Sequence, residues 1–109
     1  VKVKPYFPVK VRVGRSEDVI VQVINSGARP VKLNLRIPDG WIVDEKGNVL
    51  GRFKGSSVEV TLKPKEFKNV LLTFKPLRKG YALLGVYASF KFKGYELVTT
   101  IIEGRVKVE

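Results

Sequence analysis

The chain has 109 residues, 44% of them apolar, and carries 21 Lys and Arg against 10 Asp and Glu, a formal net charge of +11. A chain of this length and apolar content is expected to fold as one domain, residues 1–109, rather than to stay disordered. The chain has no Cys and no His, so disulfides and metal sites built from thiolates or imidazoles are excluded. The chain also lacks His as the side chain most often used to move protons near neutral pH.

The opening segment is predicted to form an edge strand with a kink. Pro5 and Pro8 lack the backbone N–H that a strand donates to its neighbour, and proline is therefore confined to sheet edges and bulges. Over residues 9–13, Val alternates with Lys10 and Arg12, which is the period-two pattern of a strand with one buried face. We expect a broken strand at a sheet edge, where basic side chains discourage pairing with a second chain.

Strand-like alternation returns in the middle of the chain, over residues 31–37 and again over 58–62. Between them, Pro38-Asp39-Gly40 predicts a turn, since Gly tolerates positive φ. Trp41 follows this turn, and we interpret it as a lid folded back on the core, because a single Trp buries a large apolar area. The alternative is a carbohydrate platform at a loop tip.

The second half of the chain predicts the longest strand, over residues 81–92, and a tight Lys93-Gly94 link into a strand over 95–102. Gly104 is expected to separate that strand from a last one over 106–108. Seven to nine short strands, with turns at intervals of about 8 to 12 residues, are typical of an all-β sandwich. We predict an immunoglobulin-like two-sheet antiparallel β-sandwich with Greek-key connections, in which strand 31–37 neighbours strand 81–92. Its predicted core consists of Val11, Val13, Val19, Val21, Val23, Leu33, Leu35, Ile37, Val60, Leu62, Leu72, Phe74, Leu84 and Val86.

Catalysis is poorly supported by the residue types present. The serines occupy turn or strand positions without the elbow motif of a nucleophilic serine, and no Gly-rich phosphate loop precedes a helix. Calcium prefers oxygen ligands, which residues 39–48 supply, but their spacing matches no EF-hand loop and such residues are routine turn formers. We interpret Asp39, Asp44, Glu45 and Asn48 as turn residues. We predict a protein that is not an enzyme, with no catalytic residue, no metal site and no cofactor.

Basic and aromatic strand positions carry the main binding hypothesis. Three pairs of side chains are each expected to share one face of a strand: Lys10 with Arg12, Lys32 with Arg36, and Tyr81 with Tyr87. A surface of this composition holds an anionic polysaccharide or a nucleic-acid backbone by charge and stacking. The alternative is the ordinary polar face of a sandwich, with an excess charge that reflects the Lys-rich composition of heat-adapted proteins.

An ordered set of turns resembles a known family. The set consists of Val13-Gly14, Asn25-x-Gly27, Pro38-x-Gly40-Trp41-x-Val43, Leu62-x-Pro64, Phe74-x-Pro76 and Gly80-Tyr81. Over residues 9–92 it resembles the NEW3 and CARDB group, which are immunoglobulin-like adhesion and accessory modules of bacterial and archaeal surface and secreted proteins. The stretch 76–81 with Leu84-Gly85 also resembles the β-sandwich segment of membrane-anchored prokaryotic proteins linked to von Willebrand-type A domains.

Both resemblances imply a non-catalytic role as a spacer or adhesion domain, with a neighbouring domain or another protein as partner. They imply an extracellular or cell-surface location as part of a larger protein, while a cytoplasmic location stays open. The chain starts without signal-peptide features, and we expect it to be a module of a longer protein. Its longest apolar run, residues 82–88, is too short to span a bilayer. The chain departs from these families in being more basic and in adding a strand after Gly94.

Overall fold

The computed structural model of the chain describes residues 1–92 and 94–109, and it describes their side chains except at 92, 96 and 98–100. Within this part of the chain the regular structure is β-strand, and no helix is long and apolar enough to cross a membrane. The ten strands of the described residues are β1 (Lys2–Tyr6), β2 (Lys10–Val11), β3 (Glu17–Ile24), β4 (Val31–Ile37), β5 (Gly40–Val43), β6 (Val49–Lys54), β7 (Ser56–Leu62), β8 (Phe67–Pro76), β9 (Gly80–Phe92) and β10 (Tyr95–Val108).

The strands form two sheets that enclose one core. Sheet I contains β1, β3 and β8, and sheet II contains β7, β4, β9, β10 and β2, each in that spatial order. The hairpin of β5 and β6 joins the sheets, because β5 pairs with β9 and β6 pairs with the end of β8. Pairs such as β3–β8 and β4–β9 come from distant parts of the chain, as Greek-key connections require. The predicted immunoglobulin-like β-sandwich is confirmed.

The core follows the alternation of apolar residues along the strands. Every predicted core residue is buried except Val13, which is 37% exposed. The prediction for Val13 is wrong because the chain turns there: β2 ends at Val11, and Gly14 has a φ of +82°. The buried apolar residues that the prediction omitted are Ile42, Val43, Phe53, Val70, Ala82, Ala88, Val106 and Val108.

The opening segment lies at a sheet edge and is broken between its two halves, as predicted; the break includes Pro8, whereas Pro5 lies within β1 opposite Val21. β1 pairs with β3 in sheet I, whereas β2 pairs with β10 in sheet II, so the chain crosses between sheets over residues 7–9. The β2–β10 pairing is parallel. The expectation of purely antiparallel sheets is therefore wrong at this edge, because the crossing brings β2 into sheet II in the same direction as β10.

The last strand, β10, runs unbroken from Tyr95 to Val108, although the sequence predicts two strands divided at Gly104. The glycine does not end the strand; its missing side chain leaves room for the ring of Phe7. The described residues nevertheless contain ten strands instead of seven to nine, because the opening segment contributes two and residues 40–54 form a hairpin of their own. The predicted Lys93-Gly94 link lies outside the described residues at Lys93.

Candidate functional site

The outer face of sheet II brings together five of the six predicted binding residues: Lys10 on β2, Lys32 and Arg36 on β4, and Tyr81 and Tyr87 on β9. Their side chains point away from the core because they alternate along their strands with buried residues. The strand register aligns two rows across this face: Arg36, Tyr87 and Ile101 form one, and Tyr81, Lys107 and Lys10 form the other.

Arg12, the sixth predicted residue, is exposed and directly follows β2. After Arg12 the chain turns toward β8, where Gly14 N donates a hydrogen bond to Pro76 O at 2.8 Å. Glu109 N donates to Val11 O at 2.8 Å and Val13 N donates to Glu109 O at 3.0 Å, so the pairing with the end of β10 continues past Arg12. The expectation that Arg12 shares a face with Lys10 stays a prediction.

Two tyrosines of the outer face each hold an arginine against the ring. The guanidinium carbon of Arg105 lies 4.0 Å from the centroid of Tyr81, and that of Arg36 lies 5.6 Å from the centroid of Tyr87. Such contacts are worth about 0.5–1 kcal/mol at exposed sites, and they restrict both side chains. Two half-exposed apolar residues, Leu83 and Ile101, lie on the same face. The set is named the Tyr–Arg face: Arg36, Tyr81, Leu83, Tyr87, Ile101 and Arg105.

Three lysines of this face, Lys10, Lys32 and Lys107, are paired with carboxylates. Lys32 Nζ lies 2.9 Å from Glu59 Oε1, and Lys10 Nζ lies 3.7 Å from Glu109 Oε1. The same Glu109 oxygen is 3.7 Å from Lys107 Nζ. Exposed pairs of this kind contribute little stability, but they reduce the positive charge that the face offers to an anion.

A shallow groove of about 540 Å³ opens on the same face. Its lining includes Gly85, and the ring of Tyr87 lies beside that glycine, since a Cβ at 85 would be 2.9 Å from Tyr87 Cε1. The lining also includes Asp39, Glu103 and Arg105. The groove therefore combines an aromatic wall with charged groups of both signs.

The residues considered for calcium serve the turns in which they lie. Asp44 Oδ1 accepts hydrogen bonds from the backbone N–H groups of Lys46 (2.9 Å) and Asn48 (2.8 Å), and Asp44 Oδ2 accepts one from Asn48 Nδ2 (3.0 Å). The Asn48 side chain, followed by the Asn48 backbone, lowers the pKa of Asp44 below its ordinary value of 3.8. Asp39 likewise accepts a hydrogen bond from Gly55 N at 2.8 Å. Over residues 1–92 and 94–109, no group of three or more His, Cys, Asp or Glu is placed to hold a metal ion.

A second basic cluster, absent from the prediction, lies where β6 reaches β8. Lys54 of β6 and Lys75 of β8 are directly opposite each other, and both are exposed. Arg52 lies two residues before Lys54 and opposite Trp41 of β5, with its guanidinium carbon 6.0 Å from the Trp41 ring centroid. The set is named the basic corner: Trp41, Arg52, Lys54 and Lys75.

Trp41 is 53% exposed, so its interpretation as a lid on the core is wrong. β5 directs Ile42 into the core and therefore turns Trp41 outward. The space on the core side is filled by Phe53, whose ring lies so close to Gly40 that a Cβ there would be 2.5 Å from Phe53 Cζ. The large aromatic side chain that covers the core at this point is Phe53, 1% exposed.

The basic corner leaves only a weak signal in the sequence. Lys54 directly follows Phe53, and Lys75 directly follows Phe74, so each lysine is next to an aromatic residue of the core. Alternation therefore predicts that both lysines face outward. It does not predict that they face each other, because β6 and β8 are separated in the chain by β7.

The outer face of sheet I is also partly apolar. Tyr6, Ile20 and Leu71 form a row across β1, β3 and β8 and are 44%, 45% and 58% exposed. These three strands contain no arginine, and Tyr6 donates its hydroxyl to Gln22 Oε1 at 3.2 Å. This row lies on the other sheet from the Tyr–Arg face and provides a matched control surface.

No family model matches the chain, and no curated protein sequence does. Among solved structures, the chain is similar to PapD-like domain 7 of human CEP192, with 19% identity, 99% of this chain and 84% of that chain covered, and a TM-score of 0.63. It is also similar to the CARDB domain of a Pyrococcus furiosus protein solved in complex with di-metal ions. The two are 20% identical, the match covers 98% of this chain and 85% of that chain, and the TM-score is 0.61. A β-glucosidase from Listeria innocua, in complex with gluconolactone, matches at 15% identity and a TM-score of 0.55, with 97% of this chain but 16% of the enzyme covered. The predicted resemblance to CARDB modules is confirmed as a likeness of fold.

Proposed function

We propose that this chain is a non-catalytic interaction module of a larger surface or secreted protein, and that it docks through the Tyr–Arg face onto an acidic protein surface. The observation that carries the proposal is the pair of arginine–tyrosine contacts, Arg105 on Tyr81 and Arg36 on Tyr87, on one outward sheet face. Tyr and Arg are the residue types that most often dominate binding energy in protein interfaces.

The geometry of the face suits docking without rearrangement. Tyr81 and Tyr87 project from β9, which is hydrogen-bonded to strands on both sides, so their backbone positions are held by the sheet. Leu83 and Ile101 are 49% and 52% exposed and provide apolar area that a partner would bury. Preorganised side chains lose less conformational entropy on binding, which favours affinity.

The arginines favour an acidic partner. In the described part of the chain, neither Arg36 nor Arg105 belongs to an ion pair; those found involve Lys10, Lys32, Lys68 and Lys107. Both guanidinium groups therefore remain available to a carboxylate, which Arg binds with two parallel hydrogen bonds. The net charge of +11 adds long-range attraction for such a partner.

The role as one part of a larger protein is supported by the fold. The match to the β-glucosidase spans 16% of that chain, so in the β-glucosidase a similar sandwich forms one part of a much longer protein. The extracellular or cell-surface location rests on the resemblance of the turn motifs. A direct role in anion binding by Lys10, Arg12, Lys32 and Arg36 has less support, because Lys10 and Lys32 are paired with Glu109 and Glu59.

The test is affinity capture followed by measurement with a purified partner. The immobilised chain is exposed to extract from its source organism, the retained protein is identified and purified, and its Kd is measured by calorimetry. We expect the double variant Arg36→Ala, Tyr87→Ala to lose at least about tenfold in affinity, because truncating two hot-spot residues removes more than about 1 kcal/mol each. Affinity should also fall with added salt, since an acidic partner is attracted by charge.

The matched control is Ile20→Ala, Leu71→Ala on the outer face of sheet I. It removes comparable exposed apolar area without touching an arginine, and we expect it to bind like the unmodified chain. Equal loss in both variants, or no loss in the Arg36 and Tyr87 variant, contradicts docking through the Tyr–Arg face.

A further inference from the structure

The basic corner is a cluster of like charges that the fold holds together. Lys54 and Lys75 occupy directly opposite positions in the antiparallel pairing of β6 with β8. Directly opposed side chains have Cβ atoms about 4.5–5.5 Å apart, and like charges in such pairs are destabilising. The pairing itself is held by the core beneath it, where the rings of Phe53 and Phe74 pack edge to face with centroids 6.1 Å apart.

Within the described residues, no carboxylate lies within ion-pair distance of the three cations of the basic corner. The ion pairs found there involve Lys10, Lys32, Lys68 and Lys107, and none involves Arg52, Lys54 or Lys75. Arg15, another exposed basic residue, lies in the turn attached to this end of β8 by the hydrogen bond from Gly14 N to Pro76 O. A bound anion would therefore relieve a repulsion that the folded chain otherwise retains.

An apolar platform adjoins the cations. Trp41 is 53% exposed, and its register partner Arg52 lies on the same outward face. Leu77 continues the row, since Leu77 N donates to Arg52 O at 3.1 Å and the side chain is 45% exposed. A ring with this exposure offers a flat apolar surface beside three positive charges.

We propose that the basic corner binds an anionic polysaccharide, with its sulfate or carboxylate groups on Arg52, Lys54 and Lys75 and one sugar ring on Trp41. Such a polymer repeats its charges along the chain, matching the cations clustered where β6 pairs with β8. Single-stranded nucleic acid fits less well, because successive bases need successive aromatic platforms and the corner offers one ring. This site is separate from the Tyr–Arg face and does not depend on docking there.

The test uses a heparin oligosaccharide as the probe and the whole chain as the protein. Calorimetry over a series of salt concentrations gives the affinity and its salt dependence. Each lost ionic contact should reduce the slope of log K against log salt by about one. We expect Lys54→Glu to weaken heparin binding at least tenfold and to raise the thermal unfolding midpoint, because the introduced carboxylate would face the ammonium group of Lys75.

Two further variants separate the corner from a general charge effect. Lys2→Glu on the exposed face of β1 changes the net charge by the same amount, and we expect it to weaken binding less than twofold. Trp41→Ala is expected to lower affinity while leaving the salt slope unchanged, since the ring contributes stacking and not charge. Circular dichroism of each variant checks that the fold is retained.

Three outcomes overturn the proposal. Equal weakening by Lys2→Glu and Lys54→Glu assigns heparin binding to net charge alone. If heparin does not bind at roughly physiological salt, the basic corner is not a binding site for an anionic polysaccharide. Tighter binding of a single-stranded oligonucleotide with the same number of charges, lost in Trp41→Ala, assigns the corner to nucleic acid.

Discussion

The ring of Phe7 lies where a side chain on Gly104 would be: a Cβ at position 104 would stand 2.6 Å from Phe7 Cδ2. Phe7 sits in the segment that crosses from sheet I to sheet II, and it packs against the core cluster. The contact therefore fixes the crossing to β10. It also explains why a glycine in the middle of a long strand does not interrupt it.

Gly104→Ala is expected to destabilise the fold through this contact. The added methyl group must displace an aromatic ring, and overpacking of this kind costs about 1–3 kcal/mol. Urea unfolding measures the change in the free energy of unfolding. The double variant Phe7→Leu, Gly104→Ala should recover part of the loss because the smaller side chain makes room. If the double variant recovers none of the lost free energy of unfolding, the alanine at position 104 does not act through its contact with Phe7.

Asn25→Ala is expected to lower the free energy of unfolding by about 1–3 kcal/mol, the cost of leaving buried polar groups without partners. Asn25 is 1% exposed, and its Nδ2 donates to Arg29 O (2.7 Å) and Lys63 O (3.2 Å) while its Oδ1 accepts from Gly27 N (3.0 Å). Chemical denaturation tests this expectation. Asn69→Ala, at an exposed position on β8, is the matched control and should change stability by less than about 0.5 kcal/mol. Similar losses at both positions contradict the structural role of Asn25.

Lys54→Glu is expected to stabilise the free protein by about 0.2–1 kcal/mol, because an opposed like pair becomes an opposed opposite pair. Thermal unfolding at low salt measures the gain, and added salt should reduce it since the positions are exposed. Lys2→Glu, which faces no lysine across its strand pair, should give a smaller change. A lower unfolding midpoint for Lys54→Glu would contradict the arrangement of β6 against β8.

Asp44 gives the β5–β6 hairpin a dependence on acid pH. The pKa of Asp44 is lowered in the folded chain, first by the hydrogen bond to the Asn48 side chain. The charged carboxylate therefore stabilises the fold at pH values above the ordinary pKa of 3.8. This stabilisation is lost as the pH falls through the lower pKa of the folded chain. Asp44→Asn removes the charge while keeping the shape. The stability difference between the two proteins should be constant above about pH 5 and should shrink at lower pH. Urea unfolding of both proteins at several pH values measures this difference in the free energy of unfolding. A difference that grows toward acid pH would contradict the lowered pKa of Asp44.

The sequence predicted the strands and the buried side of each with few errors. In β3, Val19, Val21 and Val23 alternate with polar or exposed residues and all three are fully buried. The errors fall where the chain leaves regular strand geometry, as at Val13 beside the positive φ of Gly14. There the period-two pattern continues in the sequence after the backbone has turned away.

The candidate sites were less predictable than the fold. Tyr81 and Tyr87 were placed correctly on one face because they are on one strand. Their arginine partners come from β10 and β4, and the prediction included Arg36 but not Arg105. Pairing between strands depends on topology and register, and a shift of one residue would reverse the face of every side chain.

The sequence by itself determined that this protein is an all-β sandwich, and it determined which side chains of each strand face the core. Alternation along a strand is a local property of an extended backbone, so it can be read from neighbouring residues. Only the tertiary structure decided that Lys54 faces Lys75, that Arg105 lies on Tyr81, and that Phe53 rather than Trp41 covers the core. These contacts join residues far apart in the chain, and they exist because packing of the two sheets selects one register among those that the pattern allows.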